Sequence, residues 1–295
     1  MDDKSILSRI HDLVARYGGD ELAVIVIDSS VAGAATLADR LVEGVHAARI
    51  ATIPGQFLTF SIGVATYPQD ALGVEELVMA ADQALYLAKR EGRDRYLTNA
   101  ALVERLAEDE QTLLKMLEEV GPQLIVAAGH AVDRRLGRPR RSSLVAAVAE
   151  AVGKRAGVAA DYESLRAAAF LHEVGALGGD QADAGHALEG ERLLALAGFP
   201  DPVPKAVRHH HERWDGTGKP DGLKETAIPV EARLVGLASE YERLVSGREG
   251  SSLTPSEAVL KIASQGGAYE PALVAALRSL ADEQKLPGPP ILAAV

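Results

Sequence analysis

His209-His210-His211-Glu212-Arg213-Trp214-Asp215-Gly216-Thr217-Gly218-Lys219-Pro220-Asp221-Gly222 is the stretch of this chain densest in chemistry. Neutral imidazole suits zinc, iron, manganese and similar borderline metals, and carboxylate suits the harder ones. Gly216 and Gly218 allow a tight backbone turn, and Pro220 stops a helix from continuing. Metal-assisted hydrolysis is one use of such a set. A solvated histidine-rich turn after a helix is the plain alternative.

The elements that must position these groups are helices. Apolar periodicity and Gly/Pro turns predict helices over 123–136, 142–156, 161–174, 185–197, 202–212, 229–246, 255–264 and 271–282. Almost no strand pattern interrupts them, so residues 122–285 read as an all-α bundle. Upstream the pattern changes. Two apolar runs, Leu13–Tyr17 and Ala23–Ile27, are joined through Gly18-Gly19-Asp20 and read as a β-hairpin. Helices are expected over 31–47 and 74–90, with a strand from Phe57 to Thr66. The fold class is therefore α+β overall, with a partial α/β domain over 1–97 and an all-α domain over 122–285. A connector helix is expected over 98–121 and a tail over 286–295. The connector stripe Leu102, Leu106, Asp109, Leu113, Met116 and Val120 suits a short coiled coil or a helix packed on its own domain.

Composition narrows the function. The chain has 295 residues, a net charge of −11 and no cysteine. Its charge argues against nucleic acid or an anionic membrane surface as the main partner. Disulfides and thiolate-held metals are excluded. Its apolar content of 47% contains only 4% aromatic residues, as packed Ala, Leu and Val helices require. With no signal peptide and no apolar run of spanning length, a cytoplasmic protein without direct membrane insertion is expected.

The His-His-Glu-x-x-Asp-Gly-x-Gly-x-Pro spacing resembles the signature HHExxDGxGYP of the HD-GYP family, bacterial metal-dependent phosphodiesterases of cyclic di-GMP. Lys219 replaces its tyrosine. The resemblance covers the whole second domain. It implies His172, Glu173, His186, His210 and His211 as metal ligands, with Glu212, Asp215, Gly216, Gly218 and Lys219 in the catalytic loop. The family's LLHDxGK appears as Phe170-Leu171-His172-Glu173-Val174-Gly175-Ala176, so Glu173 replaces an aspartate and Ala176 a phosphate-binding lysine. His186 and Gly190 match a third landmark. Two ligand positions depart: Arg141 stands for the histidine of HSxxVA, and Ser239 for the aspartate of DxxDALxxxR, with Arg248 setting the frame. Arginine keeps its proton and cannot ligate. Four histidines and a glutamate suffice for one ion. The resemblance thus implies a degenerate site whose divalent metal, iron, manganese or similar, is held at reduced occupancy or absent. Arg141, within the cluster Arg134, Arg135, Arg138, Arg140 and Arg141, is also a candidate to receive a nucleotide phosphate; the alternative is a solvated helix end.

RYGGDELAVIV, TFSIGVATYP and ADQALYLAKREGRDRY, in that order, resemble the C-terminal half of a GGDEF, or diguanylate cyclase, domain. That resemblance places Gly18 and Gly19 against a guanine nucleotide, Glu21 on metal and Lys89 on phosphate. Arg9 and Asp12 resemble its RxxD inhibitory site for cyclic di-GMP; an i,i+3 surface pair is the alternative. The chain starts without the family's first strand and its aspartate, so no cyclase activity is expected. Three functions remain open. One is a regulatory protein binding cyclic di-GMP or a related guanine nucleotide, with a homodimer or a GGDEF-domain partner. The second is an active cyclic di-GMP phosphodiesterase with an altered metal site. The third is a structural dimerisation module.

Overall fold

The computed structural model describes residues 12–53, 56–178, 183–247 and 250–288. The chain divides into two compact units, Met1–Leu102 and Val103–Val295.

In the first unit, β1 (Leu13–Gly18) and β2 (Glu21–Ile25) form the expected antiparallel hairpin, with Leu13 opposite Ile25 and Gly18 opposite Glu21. Helix α1 (Val31–Ala48) starts where the Ser30 hydroxyl accepts from the Gly33 amide. The strand expected over 57–66 is shorter. It forms β5 (Ile62–Val64), after a small hairpin of β3 (Ala51–Ile53) and β4 (Gln56–Phe57). Helix α2 (Val74–Arg90) crosses to β6 (Tyr96–Thr98), which pairs in parallel with β5. Ala80, Ala84, Leu87 and Ala88 give α2 its buried face. Among the described residues the strands form three separate pairs rather than one sheet. The apolar side chains Leu13, Val14, Leu22, Val24 and Ile25 of the first pair are exposed.

The connector differs from the single helix expected. It is two helices, α3 (Asn99–Glu108) and α4 (Glu110–Val120). Asp109 breaks it: its backbone is extended, and its carboxylate caps α4 by accepting from the Thr112 amide at 2.9 Å. Leu113, Leu117 and Val120 are buried, with Leu117 in the role expected of Met116. Helix α4 packs on α5 (Ile125–Arg135) and α8 (Asp183–Leu196) of the second unit. That packing is the second of the two readings of the apolar stripe.

The regular elements of the second unit are all helices among its described residues. Its centre is α6 (Arg141–Ala156), packed against α7 (Tyr162–Leu171), α10 (Val230–Val245) and α12 (Pro271–Asp282). Helix α9 (Pro202–His209) packs on α7, α8 and α10, and α11 (Pro255–Ser264) packs on α10 and α12. Leu144, Leu165, Leu171 and Leu234 are fully enclosed, each contributing about 1.5–3 kcal/mol by leaving water. Caps mark the helix starts: Asp161 accepts from the Glu163 and Ser164 amides, and Thr254 and Glu257 form a reciprocal capping box.

Candidate metal centre of the helical unit

His172 and Glu173 follow the end of α7, His186 lies in α8, and His210 and His211 follow α9. Two close approaches gather them. At Gly175 a Cβ would lie 2.1 Å from the His186 carbonyl, so only glycine lets the turn Val174–Gly178 rest on α8. At Gly236 a Cβ would lie 2.5 Å from the His210 carbonyl, so α10 reaches the end of α9 and brings Ser239 and Glu242 to the site.

The histidine tautomers follow from their partners. His172 Nδ1 lies 2.7 Å from the Ala169 carbonyl and His210 Nδ1 lies 2.6 Å from the Val207 carbonyl. A carbonyl only accepts, so both Nδ1 atoms carry the proton and both Nε2 atoms present a lone pair. His186 Nε2 stands 3.0 Å from His211 Nε2 and 3.4 Å from His210 Nε2. One Nε2 proton cannot satisfy both contacts. His172 Nε2 is buried with no hydrogen-bond partner among the described residues. Burial holds the His172 imidazole down at about 3 and the His210 imidazole well below its usual value. Both are therefore neutral, the form that ligates. His186, His210 and His211 offer nitrogens all within 4.8 Å of one another. This donor set fits one divalent cation.

The opposite end of the site is different. The Arg141 guanidinium is buried; Nη1 pairs with Glu173 Oε1, and Nη2 donates to Ser239 Oγ at 2.9 Å. Its Nε stands 3.4 Å from Glu242 Oε2. Glu173 faces both ends, with Oε1 3.9 Å from His172 Nε2 and Oε2 4.0 Å from His186 Nε2. Burial pushes the Glu173 carboxyl up, but Arg141 and the imidazoles outweigh it and hold the group at about 2. Asp133 positions the arginine by accepting from the Ser142 amide at 2.8 Å and the Ser142 hydroxyl at 2.7 Å. A second cation about 4 Å from the guanidinium would meet repulsion of about 4 kcal/mol per unit charge. The residues present therefore do not fit two ions.

The signature loop serves mainly its own shape. Glu212 accepts from the Asp221 amide at 2.7 Å and the Leu223 amide at 3.1 Å, so both its oxygens face the loop backbone. Asp215 accepts from the Thr217 amide and hydroxyl, and the Arg213 guanidinium holds its carboxyl far below the usual range. Gly216 is left-handed at φ +80°, and Gly218 backs onto the Arg213 amide. Lys219 is exposed, and its amide donates to the His211 carbonyl. His209, first of the triplet, pairs with Asp221 at 2.9 Å, as does Arg208 at 2.8 Å. Glu242, Asp133 and Asp221 were not singled out by sequence reasoning. The one available signal was an acidic residue three positions after Ser239, on the same helix face.

Among the candidates in the first unit, Gly18 and Gly19 sit at the exposed hairpin turn, and Glu21 pairs with Lys89 at 3.3 Å on the surface. Asp12 precedes β1 with a buried carboxylate oxygen that has no hydrogen-bond partner among the described residues. Arg9 and Arg248 lie outside the described residues.

Comparison with known proteins agrees with this layout. Residues 183–273 match the HD domain family, and residues 4–95 match the diguanylate cyclase GGDEF domain family. The chain joins a GGDEF-domain segment to an HD-domain segment. The HD match contains His186, His210 and His211 and begins beyond Arg141, His172 and Glu173. The bifunctional diguanylate cyclase/cyclic di-GMP phosphodiesterase MucR of Pseudomonas aeruginosa is 34% identical over 38% of this chain and 16% of its own. A cyclic di-GMP phosphodiesterase of Thermotoga maritima is 42% identical over 33% of this chain and 28% of its own. The chain thus spans less than a third of either relative. A solved cyclic GMP-AMP-specific phosphodiesterase of V. cholerae superposes with a TM-score of 0.46 at 15% identity, over 59% of this chain and 49% of that one. No helix among the described residues is long and apolar enough to cross a membrane.

Proposed function

We propose that this chain is a regulatory protein of cyclic di-GMP signalling, whose helical unit binds cyclic di-GMP or a related guanine nucleotide without hydrolysing it. The nucleotide class is supported by the names of its partial relatives and by its pairing of GGDEF and HD segments. The observation that carries the non-hydrolytic reading is Arg141. Phosphodiester hydrolysis by a metal pair needs two cations to make hydroxide and to neutralise the phosphate. Here a guanidinium occupies the end of the site where Glu173, Ser239 and Glu242 meet. No nucleotidyl transfer is assigned to the first unit, where Glu21 is engaged by Lys89.

The convergence of His172, His186, His210 and His211 beside Glu173 favours a second reading, a phosphodiesterase working with an altered metal site. Calorimetric titration of the full chain with cyclic di-GMP, run beside a turnover assay containing manganese(II) or iron(II), separates the two. Binding without linear product is expected. Linear pGpG or GMP at catalytic turnover would establish the second reading, and neither binding nor turnover would sink both.

A further inference from the structure

We infer that Arg141 takes the charge role of a second cation in this site, so that the imidazole end holds a single divalent ion and the arginine end holds none. The inference rests on the regulatory reading above and deepens it. Glu173 carries the geometry. It touches both ends: Oε1 is bound by the Arg141 guanidinium and lies 3.9 Å from His172 Nε2, and Oε2 faces His186 at 4.0 Å. A carboxylate so placed bridges two positive positions, and here one of them is covalently part of the chain. Ser239 and Glu242, one turn apart on α10, meet the same guanidinium at Nη2 and Nε. Arg141, Glu173 and Glu242 each have side chains less than a tenth exposed. Water therefore does little to neutralise the two carboxylates, and the arginine supplies the compensation. Arginine cannot lose its proton at any pH the protein meets, so this cation is permanent and cannot be removed by chelation. The imidazole end has no such built-in charge. Its imidazole nitrogens converge instead, those of His186, His210 and His211 lying within 4.8 Å of one another, and His172 Nε2 is buried with no hydrogen-bond partner among the described residues.

The test is metal stoichiometry and metal-dependent stability, neither of which reads nucleotide. The full chain is stripped with chelator and titrated with manganese(II). Bound manganese is counted by elemental analysis after desalting, and Tm is recorded with and without the ion. The natural chain is expected to bind one equivalent. Arg141→Met is expected to bind a second and to gain clearly more Tm from manganese than the natural chain does, because an added cation replaces the missing one. Ser239→Asp with Arg141 retained is expected to stay at one equivalent, and this variant stands in should Arg141→Met not fold. Two equivalents or none in the natural chain would overturn the inference. So would an Arg141→Met protein that takes no second ion, or a second ion in Ser239→Asp. Failure here leaves nucleotide binding untouched, and failure of nucleotide binding leaves the metal count untouched.

Discussion

Two ends of one site, joined where His172 and Glu173 follow α7, solve the same electrostatic problem in opposite ways. The imidazole end gathers ring nitrogens, with His172 and His210 held neutral by burial. The guanidinium end buries full charges that neutralise one another. Neutral ligands leave room for an exchangeable cation, whereas an arginine carries its cation permanently. The lesson is that a buried arginine among carboxylates supplies the positive charge that a cation would otherwise have to bring.

The largest effect expected from breaking this comparison is at Arg141. In metal-free protein, Arg141→Met takes the buried guanidinium away from Glu173 and Glu242, leaving Arg138 at 3.7 Å from Glu173, and should cost about 3–5 kcal/mol of stability. His211→Ala at the other end removes a half-buried ring and should cost clearly less. Denaturant unfolding of both variants checks the contrast, and equal losses would dissolve it.

A smaller, pH-dependent effect is expected at Asp133, which holds the start of α6. Burial pushes its carboxyl up to about 6 from 3.8, against the lowering effect of the Ser142 hydrogen bonds. The folded protein therefore binds this proton more tightly than the unfolded chain. The stabilisation is complete below pH 3.8 and is lost as pH rises through 6. Asp133→Asn removes that loss, so its stability relative to the natural chain should improve by on the order of 1–3 kcal/mol between pH 4 and 7. Unfolding curves across that window test it; a pH-independent difference would refute the assignment.

The smallest effect sharpens the role of burial. Lys89 of α2 and Glu21 of the exposed hairpin form an ion pair on the surface of the first unit. Lys89→Ala should change stability by less than about 1 kcal/mol, and less still at high salt. A loss comparable with that of Arg141→Met would show that burial is not what separates these pairs.

Much of the helical unit was legible in the chain alone. The starts of α6, α9, α11 and α12 fall within a residue of their expected positions, because caps, prolines and apolar periodicity are local signals. The break at Asp109 was also local, a capping residue inside an apolar stripe, yet the stripe hid it. The hairpin around Gly18 and Gly19 was legible from its turn. The pairing of β5 with β6 across α2 was not, since it joins residues far apart in sequence.

The same division holds at the site. The resemblance to the HD-GYP signature singled out His172, Glu173, His186, His210 and His211, and marked Arg141 and Ser239 as departures. Only the tertiary structure decided that Arg141 spends its guanidinium on Glu173, Ser239 and Glu242, that His209 serves Asp221, and that Glu212 holds its own loop. The physical reason is that a side chain's identity determines what it can donate, accept or ligate. Which of those it does depends on the atoms brought beside it, and here they come from helices up to 98 positions apart, across approaches as close as those at Gly175 and Gly236.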